Sequence, residues 1–164
     1  MTITSEKLQY KFGNSFVTSK SIVYANEVVY EVVKGISELI YLVGTFNVDF
    51  EDLRTVLSKG GMAGVGVGRA HGKNRARLAA EFAISNSLLD EETVSGSGSI
   101  LLNITSGLDK ITFDEFMAIC DVLGLNCGKD EDARVIIGSA VDELMIDDIS
   151  VTIIVTGFDG VSAA

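Results

Sequence analysis

"GMAGVGVGRAHG", residues 61–72, places glycines at 64, 66 and 68 in strict alternation with Val65 and Val67. Glycine clusters of this kind occur in dinucleotide-binding turns, where they lie between a strand and the helix that follows. Here they fall inside a period-two run with β-branched neighbours, which reads as a strand. A strand with one face free of side chains lets another element pack directly onto its backbone.

A helix comes next. "KNRARLAAEFAISNSLL", residues 73–89, has helical periodicity. Leu78 and Phe82, with Ala79 and Ala83, are expected inward, and Arg77 and Glu81 form an i,i+4 pair on the surface. An acidic Ser/Gly-rich loop from Asp90 to Gly98 leads to the strand "SILLNITSG". Thr112 to Leu125 then reads as a helix opened by a capping box, Thr112 with Glu115. "ARVIIGSAV" and "ISVTIIVTGF" are two more strands around an acidic turn at Asp147 and Asp148. That connection is too short for a crossover helix, so the last two strands are expected to pair antiparallel in a mixed sheet.

Ahead of the glycine strand, Phe16, Ser19, Ile22, Val23, Asn26, Val29, Val33, Ile36 and Ile40 recur near the helical period. A long helix from Thr18 or Ser19 to about Ser37 is expected, and "LVGTFN" ends it. Gly35 inside it costs about 1 kcal/mol relative to alanine. A short amphipathic helix follows from Phe50 to about Ser58, stopped by Gly60 and Gly61. The order is long helix, short helix, strand, helix, strand, helix, strand, strand. It predicts a layered α/β (α+β) domain: a four-stranded mixed sheet with two helices on one face and the long helix on the other.

Composition bounds the function. At 164 residues and 47% hydrophobic the chain is large enough for one domain with a real core. Residues 1–89 carry ten Lys/Arg against eight Asp/Glu, residues 90–164 three against fifteen. An acidic half argues against nucleic-acid binding and for solubility or a basic partner. Cys120 and Cys127 are read as reduced thiols, and one histidine provides no zinc ligand set. His71, beside Lys73, Arg75 and Arg77, reads as a surface residue, for no nucleophile motif accompanies it. No Gly-rich loop ends in Lys-Ser/Thr, so there is no phosphate cradle of that type. No stretch reaches membrane-span length and no basic-then-apolar leader is present, so the chain is expected to be cytoplasmic, without direct membrane insertion.

One stretch concentrates polar groups. "GTFNVDFEDLRTV", residues 44–56, holds Asn47, Asp49 and Asp52 where a loop becomes a helix. Asp49 suits the N-cap and Asp52 the third helical position, near the positive end of the dipole. Capping explains both acids but not Asn47, so a phosphate-, metal- or water-positioning role stands beside it.

The chain resembles the carboxyl-terminal half of FtsZ, the bacterial relative of tubulin. "ANEVVYEVVKGISELI" (25–40) is similar to the end of that family's central helix, and "GTFNVDFEDLRTVL" (44–57) to its synergy loop and following helix. "GMAGVGVGRAHGKNRARLAAEFAISNSLL" (61–89), "NITSGLD" (103–109) and "VTIIVTGF" (151–158) match landmarks of its second domain, and "EKLQYKFG" (6–13) the approach to the central helix. The resemblance implies a lead segment and central-type helix over 1–43, a C-terminal-type domain over 44–158 and a short tail over 159–164.

It also implies a partner. In this family, subunits stack head to tail, and the synergy loop of one enters the GTP site of the next. By resemblance, Asn47, Asp49 and Asp52 are catalytic in trans, the two acids orienting water or a Mg2+-associated group at a GTP or GDP held by the neighbour. The family's nucleotide-binding domain lies before the central helix, and no tail peptide for membrane recruitment is matched after Phe158. The expectation is therefore half of a shared GTPase site, with no cofactor in this chain. The partner is a full-length subunit or a separate nucleotide-binding domain, at the division site. The alternative is a non-catalytic, self-associating module in which the loop acids are only caps. In either case the amino-terminal half of the long helix, near Phe12, Phe16, Ile22 and Tyr24, is expected to leave an apolar patch open to homo-oligomer formation.

Overall fold

The computed structural model describes residues 18–41, 44, 47–58, 62–85, 98–125 and 134–158. Its elements run α1 (Thr18–Tyr41), α2 (Phe50–Leu57), β1 (Met62–His71), α3 (Arg75–Ser85), β2 (Ser99–Ser106), α4 (Phe113–Val122), β3 (Arg134–Val141) and β4 (Asp148–Phe158). This is the order the sequence predicts. α1 continues a turn beyond Ser37, whereas α4 stops earlier, with Leu123 as its C-cap; the described part of α3 reaches Ser85. Cys127, Phe12, Phe16, Gly60, Gly61 and the loop over 90–97 lie outside the described residues, as do the side chains of Ile22 and Tyr24.

The sheet is mixed, in the order β1-β4-β2-β3. β4 pairs antiparallel with both β1 and β2, and β3 pairs parallel with β2. The expected direct pairing of the last two strands is therefore wrong, because β2 lies between them. Their short connection, 142–147, instead crosses the end of β2. Leu108 N donates to the Met145 carbonyl at 3.3 Å, and a Cβ on Gly107 would stand 1.9 Å from that oxygen. A glycine at the end of β2 makes the crossing possible.

Each face of the sheet is covered. Ile100, Leu102 and Ile104 of β2 and Ile149, Val151, Ile153 and Val155 of β4 pack with α3 and α4 in the larger core. On the opposite face Leu101 and Ile154 meet Val65, Leu53 and Val56, with Ile36, Val48, Val67 and Ile136 at the margin.

The glycine strand behaves as predicted, but the helix it receives presents a different face. Ala76, Ala79, Ala80 and Ala83 are the inward residues of α3, whereas Leu78 and Phe82 are 36% and 42% exposed. A Cβ on Gly68 would fall 2.0 Å from the Ala79 carbonyl oxygen and 2.4 Å from the Ala83 nitrogen. A helix this close to a strand has room only for methyl groups, so the larger side chains turn outward. Gly35 serves α1 similarly, since a Cβ there would be 2.9 Å from Thr152 Oγ1. Among the described residues, no helix is long and apolar enough to cross a membrane.

Candidate functional site

Three local contacts hold Gly44 and residues 47–49. Gly44 lies against the backbone of β3, where a Cβ would be 1.7 Å from the Ser139 carbonyl oxygen. Its N–H donates to Asn47 Oδ1 at 3.2 Å. Asn47, which capping left unexplained, thus closes the turn. Asp49 has extended backbone, φ −83° and ψ 164°, and its Oδ1 accepts from Asp52 N at 2.7 Å. The N-cap is formed as predicted.

Between these polar residues Val48 turns in against the Leu53–Val56 core, which holds the loop from below. Asn47 and Asp49 are exposed and Asp52 is half-buried. The result is a corner that brings an amide and two carboxylates together at a helix N-terminus. The cap occupies only part of a carboxylate that has about four lone-pair sites, so it leaves Asp49 able to accept further bonds. Among the described residues, no three His, Cys, Asp or Glu side chains stand close enough to hold a metal ion. The two acids are therefore not a self-sufficient metal centre.

A second polar cluster was not foreseen as one. Arg75, at the start of α3, is 6% exposed. Its Nε donates to Glu115 Oε1 at 2.7 Å, its Nη1 to Asp147 Oδ1 at 3.0 Å and its Nη2 to the Asp109 carbonyl at 3.1 Å. One guanidinium thus ties α3 to the start of α4, the β2–α4 loop and the β3–β4 connection. Glu115 also completes the capping box: its N–H donates to Thr112 Oγ1 and its Oε2 accepts from Thr112 N. Burial disfavours the Glu115 carboxylate, but the hydrogen bonds from Arg75 and Thr112 outweigh it and hold its pKa below the ordinary value. The Glu115 bond raises Arg75 against the opposing effect of burial. The only sequence signal was the capping box, because the partners of Arg75 are 34 to 72 residues away.

The fold occurs in a known family. Residues 61–159 match the model of the FtsZ family, C-terminal domain. The chain belongs to the FtsZ family. It is 40% identical over 157 residues to the cell division protein FtsZ of Coxiella burnetii, covering 96% of this chain and 40% of that protein. To FtsZ of Buchnera aphidicola subsp. Baizongia pistaciae it is 44% identical over 133 residues, 81% of this chain and 34% of that one. Among solved structures it is similar to an FtsZ dimer of M. jannaschii, with TM-score 0.73 and 30% identity over 93% of this chain and 43% of that chain. It shares its fold with TubZ of Bacillus thuringiensis serovar israelensis from a GTPγS-form protofilament, with TM-score 0.72 and 15% identity over 94% of this chain and 40% of that one. These 164 residues thus span about 40% of the length of the first curated relative.

The remaining candidates on this FtsZ-family chain are bland. His71 is exposed at the last position of β1, opposite Asp148 of β4. Cys120, on α4, is buried in the larger core. Neither lies in the loop that carries Asn47, Asp49 and Asp52.

Proposed function

We propose that this chain presents the 44–52 corner to the nucleotide site of an adjacent FtsZ-type subunit, at the division site in the cytoplasm. The supporting observation is the corner itself: the exposed Asn47 and Asp49, with the half-buried Asp52 beside them, held by the contacts of Gly44, Val48 and the Asp49 cap. Phosphoryl transfer is accelerated mainly by positioning and electrostatics, which a second chain can provide. In this reading Asn47 shapes the loop and contacts the shared site. Asp49 and Asp52 orient the attacking water, directly or through a Mg2+ held with GTP on the partner. The partner is a full-length FtsZ-like subunit or a separate nucleotide-binding domain.

The surface nearby suits such a contact. Gly44 lies against β3 near its C-terminal end, and at that end of the sheet Leu108, Leu144 and Ile146 are 63%, 91% and 78% exposed. Apolar side chains beside a polar corner make the mixed surface that a subunit contact requires.

The test is GTP turnover by an assembly-competent full-length FtsZ as this chain is titrated in, with light scattering as the filament record. Altered turnover with fewer or shorter filaments is expected, and Asp52→Ala is expected to remove the effect on turnover while leaving the fold intact. Unchanged turnover and scattering at chain concentrations well above the partner's would refute the proposal.

A further inference from the structure

Among the described residues Arg75 is the only charged one that is buried. Besides its bonds to Glu115 Oε1, Asp147 Oδ1 and the Asp109 carbonyl, its Nη1 donates to the Asp147 carbonyl at 3.1 Å and its Nη2 to Glu115 Oε2 at 3.3 Å. A guanidinium has five N–H donors and no acceptor, so these five bonds use all of them. No donor is left for a ligand or a partner chain, and the side chain acts only on its own fold.

The destinations of the bonds are specific. Two run to Glu115 on α4, and three reach the two loops at the C-terminal end of the sheet, two of them ending on main-chain oxygens. Asp109 follows Leu108 in the chain and Asp147 follows Ile146, so the guanidinium grips backbone beside two exposed apolar residues. The direct backbone bonds near by, Gly107 N to the Asp148 carbonyl and Leu108 N to the Met145 carbonyl, are both 3.3 Å, longer than usual. Asp147 is also held from its other side, because its Oδ2 accepts from Gly72 N at 3.0 Å. A buried ion pair adds little net stability over apolar residues of similar volume, and a single defined geometry is what it can add.

We infer that Arg75 is a positioning residue of the subunit contact: it holds Leu108 and Ile146 at the spacing that the neighbouring subunit meets, without touching that subunit. The inference rests on the contact proposed above and assigns to it a residue outside both the corner and the exposed apolar surface. Lysine cannot take its place, since an ammonium is a compact point charge and cannot span acceptors on two loops and a helix as a planar fork does. With lysine the loops keep their backbone bonds at the strand ends and lose the link between their outer parts.

The test is fluorescence anisotropy of the 164-residue chain, labelled at its amino terminus, titrated with full-length FtsZ and GTP. GTP turnover is measured beside it and a circular-dichroism melt on every variant. Arg75→Lys is expected to melt cooperatively and to raise Kd at least about ten-fold, the loss of roughly one interface anchor. At saturation it keeps the parent's effect on turnover, because Asn47, Asp49 and Asp52 lie outside the segments that Arg75 holds. Arg77→Ala, which breaks the exposed pair with Glu81 on the same helix, is expected to change Kd less than about two-fold. In a chain already carrying Leu108→Ala and Ile146→Ala, Arg75→Lys is expected to cost less than about three-fold more, since the side chains it positions are gone. If Arg75→Lys does not melt cooperatively, Glu115→Gln, which weakens the charge-assisted grip on Arg75, serves in its place with an expected rise in Kd of at least about three-fold.

An unchanged Kd overturns the inference. So does a full ten-fold cost in the double-alanine chain, or a loss of the saturating effect on turnover together with affinity. A parent chain that binds but leaves turnover unchanged refutes the role of the corner, while the Kd comparison still decides that of Arg75. A parent chain that does not bind overturns both.

Discussion

Asp49 has a structural duty and a proposed chemical one, and two substitutions separate them. Its Oδ1 accepts from Asp52 N at 2.7 Å and starts an eight-residue helix whose inward residues, Leu53 and Val56, are 4% and 0% exposed. Asp49→Asn keeps an oxygen acceptor at the cap, where asparagine and aspartate rank together, and loses only the dipole contribution of about 0.3–1 kcal/mol. Asp49→Ala removes the acceptor and costs about 1 kcal/mol through the cap, and more in total because the charge is lost too. For a chain of this size 1 kcal/mol moves Tm by about 2–4 °C. Thermal melts followed by circular dichroism, beside GTP turnover of titrated full-length FtsZ, give both readouts. The charge-based reading expects both variants to lose their effect on turnover although Asp49→Asn melts within about 3 °C of the parent. If Asp49→Asn retains the full effect and only Asp49→Ala loses it, Asp49 acts solely by holding the loop, and its role in positioning water is refuted.

Two further outcomes follow from the core. Gly68→Ala forces α3 off the sheet by about 1 Å, because the added Cβ meets helix backbone that no side-chain rotation can move; the expected loss is about 3 kcal/mol or more in urea unfolding, and a loss below about 1 kcal/mol would contradict the packing described. Glu115, whose folded pKa is held below the ordinary 4.5, contributes stability that is fully present above about pH 5 and fades as pH falls through the folded value; the difference in urea midpoint between the parent and Glu115→Gln is therefore expected to be larger at pH 7 than at pH 3, and a constant difference would show that the carboxylate's charge is not what Arg75 stabilises.

Most of the architecture was legible because it is written in local signals. The period-two glycines named β1, the capping box named the start of α4, and Asp49 named the start of α2. What escaped was set by distance between backbones. The sequence of α3 offers Leu78 and Phe82 as natural core residues, yet Gly68 of β1 brings the helix so near that only alanines fit beneath it. Sheet order escaped for a related reason, since a short connection implies direct pairing unless something lets it pass over a neighbouring strand, and Gly107 does so at the end of β2. In the candidate site the acids were readable but the turn was not. Asn47 looked like surplus chemistry because its donor, Gly44, is a backbone group, invisible to any reading of side chains.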